Sequence, residues 1–344
     1  MALKVGFVGT GGIAKRHLDN TAKRQDIEMV GYADAVLERA AECAANYGGV
    51  AYDDATRLYD EQQPDVVVIC TPPFAHGEIE EQAAARGIHF FVEKPVAVSM
   101  ELANRVQAAV ETSGIATQVG YMFRFSEATK KVRELLDGRS IAMVQAHYYM
   151  PGLPPPAWWP FMAKGGGQLV EQATHMLDLG RFFAGDVASV VAMTSTVRDW
   201  TDVPAGWEPT QTMREFAPAM DIPDVTGMVM HYESGALGTL SCSIVPQGKW
   251  DNGFKVVAEG LLVTVEGPNA SWCGDEEGEM EAAECWPEYV LYELYDQVIA
   301  GSTETSVPYI EGVKSLGISL AGYESVKRGG CPVQVAELMQ VRDR

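Results

Sequence analysis

Short apolar runs and helical stretches alternate along the first 120 residues. Amphipathic patterns over residues 35–47 and 100–112 separate runs that are flanked by Gly, Asp or Pro. Continuous apolar strands alternating with helices are typical of a parallel sheet covered on both faces. The pattern therefore predicts an α/β Rossmann-like domain, with a doubly wound parallel sheet, over residues 1–122. The predicted strands are residues 5–8, 29–33, 66–70, 89–92 and 115–119.

The pattern changes after residue 123. A predicted helix over 126–136 leads into an apolar run at 143–150, a Pro-rich loop and a helix predicted from 168 to 183. A series of strand-like runs without helices between them then predicts an α+β domain with a large, open, mostly antiparallel sheet, over residues 123–344. The C-terminal helix is a candidate to pack back on the first domain. The strand-like runs are 187–197, 226–232, 236–245, 255–258 and 261–265, and the closing helical patterns are 289–300 and 311–326.

Two stretches of the second half lack a regular pattern. Residues 275–288 contain seven carboxylates, which predicts a solvated loop. Residues 199–223 contain four prolines together with Trp200 and Trp207, which predicts a long loop. Loops of this length are typically lids or subunit contacts, and the sequence leaves both interpretations open.

Composition and charge exclude several classes of protein. The 344 residues are 47% apolar and 21% charged, and no apolar run approaches the roughly 18 residues that a membrane span needs. The first residues lack the basic region and long apolar core of a secretion signal, so we expect a cytoplasmic protein. A net charge of −21 argues against a nucleic-acid partner. The scattered cysteines favour free thiols over a zinc site or disulfides: Cys43, Cys70, Cys242, Cys273, Cys285 and Cys331.

A glycine-rich turn follows the first predicted strand. It reads Gly9-Thr10-Gly11-Gly12-Ile13-Ala14 and opens a helical pattern. We expect Gly9 to permit the tight turn and Gly11 to let the backbone approach a pyrophosphate, while Ala14 stands for the third glycine of the dinucleotide fingerprint. The helix N-terminus would offer N–H groups to the phosphates.

Asp34 follows the second predicted strand, about 20 residues further on. A carboxylate at this place can accept the hydroxyls of an adenosine ribose, and it would repel a 2′-phosphate. The sequence therefore favours NAD over NADP. The alternative interpretation of Asp34 is an N-cap of the helix predicted over 35–47.

Two further motifs lie at predicted strand ends, Cys70-Thr71-Pro72-Pro73-Phe74-Ala75-His76 and Glu93-Lys94-Pro95. Together with residues 9–14 and with Gly165-Gly166-Gly167…Glu171…His175…Asp178, they resemble the Gfo/Idh/MocA family of oxidoreductases. The resemblance covers nearly the whole chain. It implies a Rossmann domain, an open-sheet α/β domain, NAD(P), sugar or cyclitol substrates, and oligomers formed through the C-terminal sheet, as a homodimer or homotetramer. It also suggests a cis peptide at Glu93-Lys94-Pro95.

The positions of these motifs agree with a cofactor site, because ligands of open parallel sheets lie beyond the carboxyl ends of the strands. Pro95 keeps Lys94 out of the helical region and extended at the strand tip. The alternative for Lys94 is a surface lysine that closes a turn. The predicted cofactor-binding residues are Gly9, Thr10, Gly11, Gly12, Ile13, Ala14, Asp34, Thr71, Pro72, His76, Glu93 and Lys94.

Glu171, His175 and Asp178 have the spacing of one helix face, i, i+4 and i+7. Such a face can present an imidazole between two carboxylates. The resemblance gives His175 the catalytic position, and it puts Glu171 where many relatives have Asp, which leaves its proton-relay role open. The alternatives are a core histidine or a metal site, and no companion ligands favour a metal.

The predicted catalytic residues are Lys94, His175 and Glu171. We expect His175 to remove the proton of a secondary hydroxyl while Lys94 donates a hydrogen bond to the same oxygen or relays the proton. Candidate substrate contacts are Tyr121, Arg124, Trp158, Trp159 and His175. Arg124 is equally suited to brace the domain junction, and the two tryptophans are equally suited to pack in an interface.

Three functions remain open at this stage. The first is an NAD-dependent dehydrogenase or reductase of a sugar, cyclitol or derivative. The second is an NAD-dependent glycosidase that oxidises its substrate transiently, and the third is a non-catalytic sensor that binds dinucleotide. The presence of both Lys94 and His175 argues against the sensor.

Overall fold

The computed structural model describes residues 2–202, 210–281 and 287–339. The chain divides into two compact units. The first comprises Met1–Met122 and Cys285–Val313, and the second comprises Phe123–Glu284 and Lys314–Arg344. Residues 285–313, which the sequence pattern assigned to the second domain, belong to the first unit. From the sequence, such a return was expected only for the C-terminal helix.

The first unit contains a six-stranded, all-parallel sheet. Its strands are β1 (Leu3–Val8), β2 (Ile27–Ala33), β3 (Val50–Tyr52), β4 (Val66–Ile69), β5 (His89–Val92) and β6 (Thr117–Val119). The strand order is β3-β2-β1-β4-β5-β6, so the order of connection reverses between β1 and β4. All four residues of β4 are buried, as a strand covered on both faces requires. The predicted doubly wound fold is confirmed. Only β3 was missed, because three residues are too few for a pattern.

Helices connect these strands. They are α1 (Gly12–Thr21), α2 (Leu37–Tyr47), α3 (Ala55–Gln62), α4 (Glu78–Ala85) and α5 (Met100–Ser113). A sixth helix of this unit comes from the C-terminal part of the chain and packs on α1, β5 and β6. Its inner face is fully buried, and the Tyr295 hydroxyl lies 2.9 Å from the hydroxyl of Thr21 on α1. The described part of this helix begins at Pro287 and ends at Ile299.

The second unit contains a nine-stranded, mostly antiparallel sheet, and the predicted α+β class is confirmed. Its strands are β7 (Ile141–Tyr149), β8 (Val187–Ser195), β9 (Val225–Tyr232), β10 (Leu237–Ser243), β11 (Asp251–Ala258), β12 (Leu261–Glu266), β13 (Asn269–Gly274), β14 (Gly278–Met280) and β15 (Val333–Gln334). The order is β14-β13-β12-β11-β7-β10-β9-β8-β15, in which only the pairing of β7 with β10 is parallel among the described strands.

Along the described strands, one face of this sheet packs against helices and the other is exposed. Residues alternate between buried and exposed along β9 and β11. The exposed positions face the same side, because the register places Val229 opposite Thr239, Thr239 opposite Gln145, and Gln145 opposite Lys255. Large apolar side chains exposed on this face are Met193, Val229, Leu237, Val257 and Leu262.

The helices of the second unit differ from the prediction at one decisive place. They are α6 (Glu127–Leu135), α7 (Met162–Gly165), α8 (Gly167–Glu171), α9 (Thr174–Ala184) and α10 (Gln211–Phe216). The single helix predicted over 168–183 is wrong, since α8 ends at Glu171 and α9 begins at Thr174. The N–H groups of Gln172 and Ala173 both bond to the carbonyl of Gln168, which closes one helical turn and ends it.

Helices numbered α11 (Pro287–Ile299), α12 (Tyr309–Lys327) and α13 (Val335–Met339) complete the chain. Two predicted loops contain regular structure: α10 lies within 199–223, and β14 with the start of α11 lies within 275–288. Trp207 and Cys285 lie outside the described residues. The other five cysteines are free. No helix of the described segments is long and apolar enough to cross a membrane.

Candidate active site

The candidate residues fall in both units, and each group is described within its own unit. In the first unit they lie along the carboxyl edge of the parallel sheet. The loop from β1 to α1 forms an open cradle there. Gly9 has a φ of +82°, and a Cβ would lie 2.8 Å from the Cys70 carbonyl, so the turn requires glycine. At Gly11 and Gly12 a Cβ would meet no atom of the described residues within 4 Å.

This geometry suits a pyrophosphate, because α1 begins at Gly12 and directs its first N–H groups toward the open side of the cradle. Ile13 is 41% exposed on the first turn, while Ala14 is fully buried, as expected for the position of the third glycine. The backbone therefore presents donors without side chains in front of them.

Asp34 is half-buried at the end of β2 and is held by three donors. Thr10 donates its backbone N–H (2.8 Å) and its hydroxyl (2.9 Å) to Oδ2, and Val36 donates its N–H to Oδ1 at 2.9 Å. The alternative that Asp34 is the N-cap of α2 is wrong, because the helix begins at Leu37 with Val36 as its N-cap. The carboxylate orients this loop, and Oδ1, which accepts only the Val36 N–H, retains a lone pair for a hydroxyl donor.

The segment after β4 contains a buried hydroxyl and a buried imidazole. Thr71 Oγ1 is buried, and no described residue hydrogen-bonds to it. Pro72 leads into a 3₁₀ turn. His76 Nδ1 lies 2.5 Å from Oε1 of Glu80, whose Oε2 accepts the Gly77 N–H at 2.6 Å. His76 thus braces the start of α4, and Glu80 is a residue that the His-x-x-x-Glu spacing could have indicated.

The end of β5 is tied to α1. Glu93 Oε1 lies 2.7 Å from Nε2 of His17, a buried residue that the sequence pattern did not indicate because it is 76 positions away. Oε2 of Glu93 accepts the backbone N–H of Lys94 at 3.2 Å. Lys94 is half-buried, and the Lys94–Pro95 peptide is cis, as the family resemblance suggested.

Tyr121, a predicted substrate contact, follows β6 at the end of the first segment of this unit. Its side chain is almost fully buried, at 1% exposure. Burial of a tyrosine ring is typical of a residue that packs as well as binds.

In the second unit, Glu171 and His175 lie on different helices, α8 and α9. The predicted single face that carries Glu171, His175 and Asp178 is therefore wrong. Oε2 of Glu171 accepts the indole N–H of Trp159 at 2.7 Å, a contact that ties the Pro-rich loop to α8. His175 is 5% exposed on the first turn of α9 and meets the ring of Phe123 edge-on, with centroids 4.9 Å apart.

Asp178 forms a buried two-point ion pair with Arg124. The Arg124 Nε and Nη2 atoms lie 2.8 and 2.6 Å from the two carboxylate oxygens, and the guanidinium also stacks 5.2 Å from the Phe182 ring. Arg124 and Asp178 are only 9% and 1% exposed. This arrangement anchors Arg124 within the second unit, and the two roles that the sequence left open, a substrate contact or a brace of the domain junction, stay predictions.

The two predicted tryptophans have different surroundings. Trp159 is 2% exposed and packs inside the unit, whereas Trp158 is half-buried. The Trp158 ring lies against Gly165, where a Cβ would approach ring atoms to 3.2 Å. Trp158 is therefore the one whose ring retains surface for a ligand. No group of three or more metal-ligating side chains occurs among the described residues.

The residues of the first unit fit a dinucleotide. The cradle at Gly11 and Gly12 has the open space that a pyrophosphate needs, and Asp34 lies at the neighbouring strand end. The orphaned hydroxyl of Thr71 lies on the same edge and offers one donor to a ligand.

Comparison with known proteins agrees with this arrangement. The model of an oxidoreductase family with an NAD-binding Rossmann fold, GFO_IDH_MocA, matches residues 3–121, and the GFO/IDH/MocA C-terminal domain model matches residues 129–260. The chain is 30% identical over 190 residues to D-glucoside 3-dehydrogenase of Escherichia coli, covering 53% of this chain and 54% of that protein. It is 24% identical over 241 residues to the uncharacterized oxidoreductase YrbE of Bacillus subtilis, covering 69% and 66%. Each match spans less than two thirds of the curated relative.

Solved structures share the fold over almost the whole chain. Levoglucosan dehydrogenase in complex with NADH and levoglucosan has a TM-score of 0.83 at 21% identity, covering 97% of this chain and 99% of that one. The WlbA dehydrogenase of Bordetella pertussis, in complex with NADH and UDP-GlcNAcA, has a TM-score of 0.80 at 23% identity with the same coverage. The two family models, the glycine cradle and the Glu93-Lys94-Pro95 strand end thus lead to one conclusion: the chain belongs to the GFO/IDH/MocA oxidoreductase family.

Proposed function

We propose that this protein is an NAD-dependent dehydrogenase or reductase that acts on a secondary alcohol or ketone of a sugar, cyclitol or derivative. The observation that carries the proposal is one sheet edge in the first unit. It combines an open glycine cradle, a carboxylate for a ribose and a half-buried lysine. These are the parts that a dinucleotide-dependent hydride transfer needs on the cofactor side.

NAD is the proposed cofactor, and when bound it accepts or returns the hydride. Asp34 would accept a ribose hydroxyl with the lone pair that Val36 leaves on Oδ1, and its charge would disfavour a 2′-phosphate. The apolar residues Val36 and Leu37, both more than 40% exposed, follow Asp34 and supply no compensating cation.

In the proposed reaction, His175 removes the proton of the substrate hydroxyl during oxidation and returns it during reduction. Lys94 donates a hydrogen bond to the same oxygen and stabilises its developing negative charge. Glu171 supports the site by accepting a hydrogen bond from Trp159. We also propose that Glu171 takes part in proton relay, although it does not share a helix face with His175. The half-buried ring of Trp158 suits the C–H face of a sugar or cyclitol.

The proposed substrate class is based on the substrates that the names of the relatives give. Besides the D-glucoside dehydrogenase, these include the myo-inositol 2-dehydrogenase of Thermotoga maritima and the D-apiose dehydrogenase of Paraburkholderia graminis. All three act on polyhydroxylated rings by name. We therefore propose a cyclic polyol or sugar as substrate of this protein, and cytoplasmic location stays a prediction from the sequence.

The proposal includes a homo-oligomer formed through the open face of the nine-stranded sheet. Exposed apolar side chains on five strands of this face, two on one side of β7 and three on the other, support it, because such a patch is typically covered by a partner. The same face carries His147, Asp251, Tyr149 and Ser241 in paired hydrogen bonds, which gives it polar groups suited to a symmetric contact.

A panel of aldoses, cyclitols and sugar acids with NAD, read by cofactor absorbance, tests the function. We expect NADH to accumulate with at least one polyol, and Lys94→Ala and His175→Ala to abolish turnover while NAD still binds. Lys327→Ala, an exposed lysine at the end of α12, is the matched control and keeps activity. Cleavage of glycosides without net NADH would favour the glycosidase instead, and failure to bind NAD would overturn the proposal.

Cofactor choice has its own test. Asp34→Ser should weaken NAD binding by about tenfold and reduce the discrimination against NADP, because one charged acceptor is lost. Asp54→Ser is the control, since Asp54 caps α3 in the same unit. A wild-type protein that already prefers NADP would contradict the assignment.

A further inference from the structure

The carboxylate of Glu93 is enclosed between α1, the helix that follows the glycine cradle, and the end of β5. Its side chain is 13% exposed, and the imidazole of His17 that it meets at 2.7 Å is 1% exposed. The second oxygen accepts the Lys94 N–H. Gly120 completes the enclosure, because a Cβ at this position would lie 2.9 Å from Glu93 Oε2.

The hydrogen-bond partners available to His17 determine the charge of the pair that it forms with Glu93. Its Nδ1 atom is buried, and no described residue hydrogen-bonds to it. A proton on Nδ1 would be a buried N–H without an acceptor, which is costly, whereas a bare Nδ1 lone pair is tolerated more easily. The arrangement that leaves no orphaned N–H has a neutral imidazole whose Nε2–H donates to an ionised Glu93. The pair therefore carries a net negative charge.

This charge lies on the part of the sheet edge where the nicotinamide half of a dinucleotide belongs. Asp34 at the end of β2 marks the adenosine side, and the glycine cradle after β1 marks the pyrophosphate. The sheet order continues from β1 to β4 and β5, so the remaining half of the cofactor extends toward Thr71 and Glu93.

We propose that Glu93, held by His17, is a fixed negative charge that makes this protein favour the oxidised, cationic nicotinamide over the reduced, neutral one. The inference rests on the proposed function, because it requires NAD in the first unit. It gives the glutamate a positioning and electrostatic role toward the cofactor rather than a chemical step. The neighbouring ammonium group of Lys94 would by itself repel a cationic nicotinamide ring, and the fixed carboxylate of Glu93 offsets this repulsion.

The size of the effect can be anticipated from Coulomb's law. At an effective dielectric constant of about 20, a unit charge about 10 Å from another changes affinity by a factor of roughly ten. NADH lacks the ring charge, so its affinity should change little. The ratio of the dissociation constants of NAD⁺ and NADH therefore isolates the charge from any general damage to the site.

The test measures both dissociation constants for the full chain, by calorimetry and by NADH fluorescence, without substrate. Glu93→Gln keeps the shape and removes the charge, and we expect the ratio of the NAD⁺ to the NADH constant to rise about tenfold. Glu93→Asp keeps the charge, so the ratio should stay within about twofold of wild type even where both affinities fall. Glu28→Gln, an exposed glutamate on β2, is the control and leaves the ratio unchanged.

Each other outcome counts against the inference. A Glu93→Gln variant that binds both forms with the wild-type ratio would overturn the charge role while leaving the proposed function intact. Should Glu93→Gln be unfolded by circular dichroism, Glu93→Ala replaces it. This variant also removes the charge and should raise the ratio in the same direction, and an unchanged ratio would again overturn the inference. A wild-type chain that binds neither cofactor would overturn the proposed function and this inference together.

Discussion

The indole N–H of Trp159, in the loop between β7 and α7, donates to the carboxylate of Glu171 at the end of α8, at 2.7 Å. Trp159 is buried and Glu171 is half-buried, so the bond joins an uncharged donor in the interior to a charge at its edge. It fixes the carboxylate four residues before His175, at the point where α8 ends. The loop and the end of α8 therefore depend on each other.

A double-mutant cycle tests this bond. Trp159→Phe removes the donor and Glu171→Gln removes the charge, and each should lower the free energy of unfolding. Because both substitutions break the same contact, we expect their effects to fall short of additivity by about 1 kcal/mol. Urea unfolding of the two single variants and the double variant measures the coupling. Full additivity would mean that the contact contributes nothing to stability.

Gly9 and Gly11, two glycines of the cradle between β1 and α1, should respond differently to substitution by alanine. Gly9→Ala introduces a Cβ at positive φ against the Cys70 carbonyl, so it should destabilise the fold by about 1–3 kcal/mol. Gly11→Ala adds a methyl group to open space and should leave the melting temperature within a few degrees of wild type. Its expected effect is instead a loss of NAD affinity, by about tenfold or more, because the methyl group occupies the cradle.

Melting curves and calorimetric titration with NAD distinguish the two variants. Gly138→Ala, at a glycine of positive φ in the second unit that also faces open space, is the control for backbone strain alone. If Gly11→Ala bound NAD like the wild type, the cradle would not be the phosphate site.

Much of the fold could be predicted because the parallel strands are continuous apolar runs between turn residues. Most of the strands that were missed, β3, β14 and β15, are two or three residues long, and β13 (Asn269–Gly274) was missed although it has six residues. Three residues, as in β3 and β14, are too few to give a periodicity. The break after Glu171 was missed for another reason: residues 168–183 are all compatible with a helix, and no Pro or Gly marks Gln172.

Those parts of the candidate site that are formed by residues close together in the sequence could be predicted. Gly9, Gly11 and Asp34 lie where the fingerprint indicates, but the partners that fix the site are distant. His17 lies 76 residues from Glu93, and Arg124 lies 54 residues from Asp178. Such pairings depend on the packing of whole elements, which no local pattern contains.

His89 makes the stability of the protein depend on pH. Burial lowers the pKa of His89 below its ordinary value of 6.5, and its Nδ1 accepts the Ala116 N–H at 2.9 Å, which requires an unprotonated nitrogen. The unfolded chain therefore binds this proton more readily than the folded one. The contribution of the neutral imidazole is present above pH 6.5 and is lost as the pH falls below that value.

Comparison with His89→Gln isolates this contribution, because the glutamine does not titrate. The difference in unfolding free energy between wild type and variant, measured by urea titration, should shrink or reverse between about pH 7.5 and about pH 5.5. A difference that stays constant across this range would mean that His89 has the same pKa in both states.

The buried pair of Arg124 and Asp178 should contribute to stability rather than to substrate binding. Arg124→Ala leaves a carboxylate that is 1% exposed without its two-point partner, and removal of one member of such a pair costs about 3–5 kcal/mol. Arg124→Lys retains the charge but loses the planar two-point contact, so its loss should be smaller. Arg328→Ala, in an exposed pair with Glu324, is the control and should leave stability unchanged. If Arg124 instead bound substrate, Arg124→Lys would raise KM at wild-type stability, and combined denaturation and kinetic measurements separate the two roles.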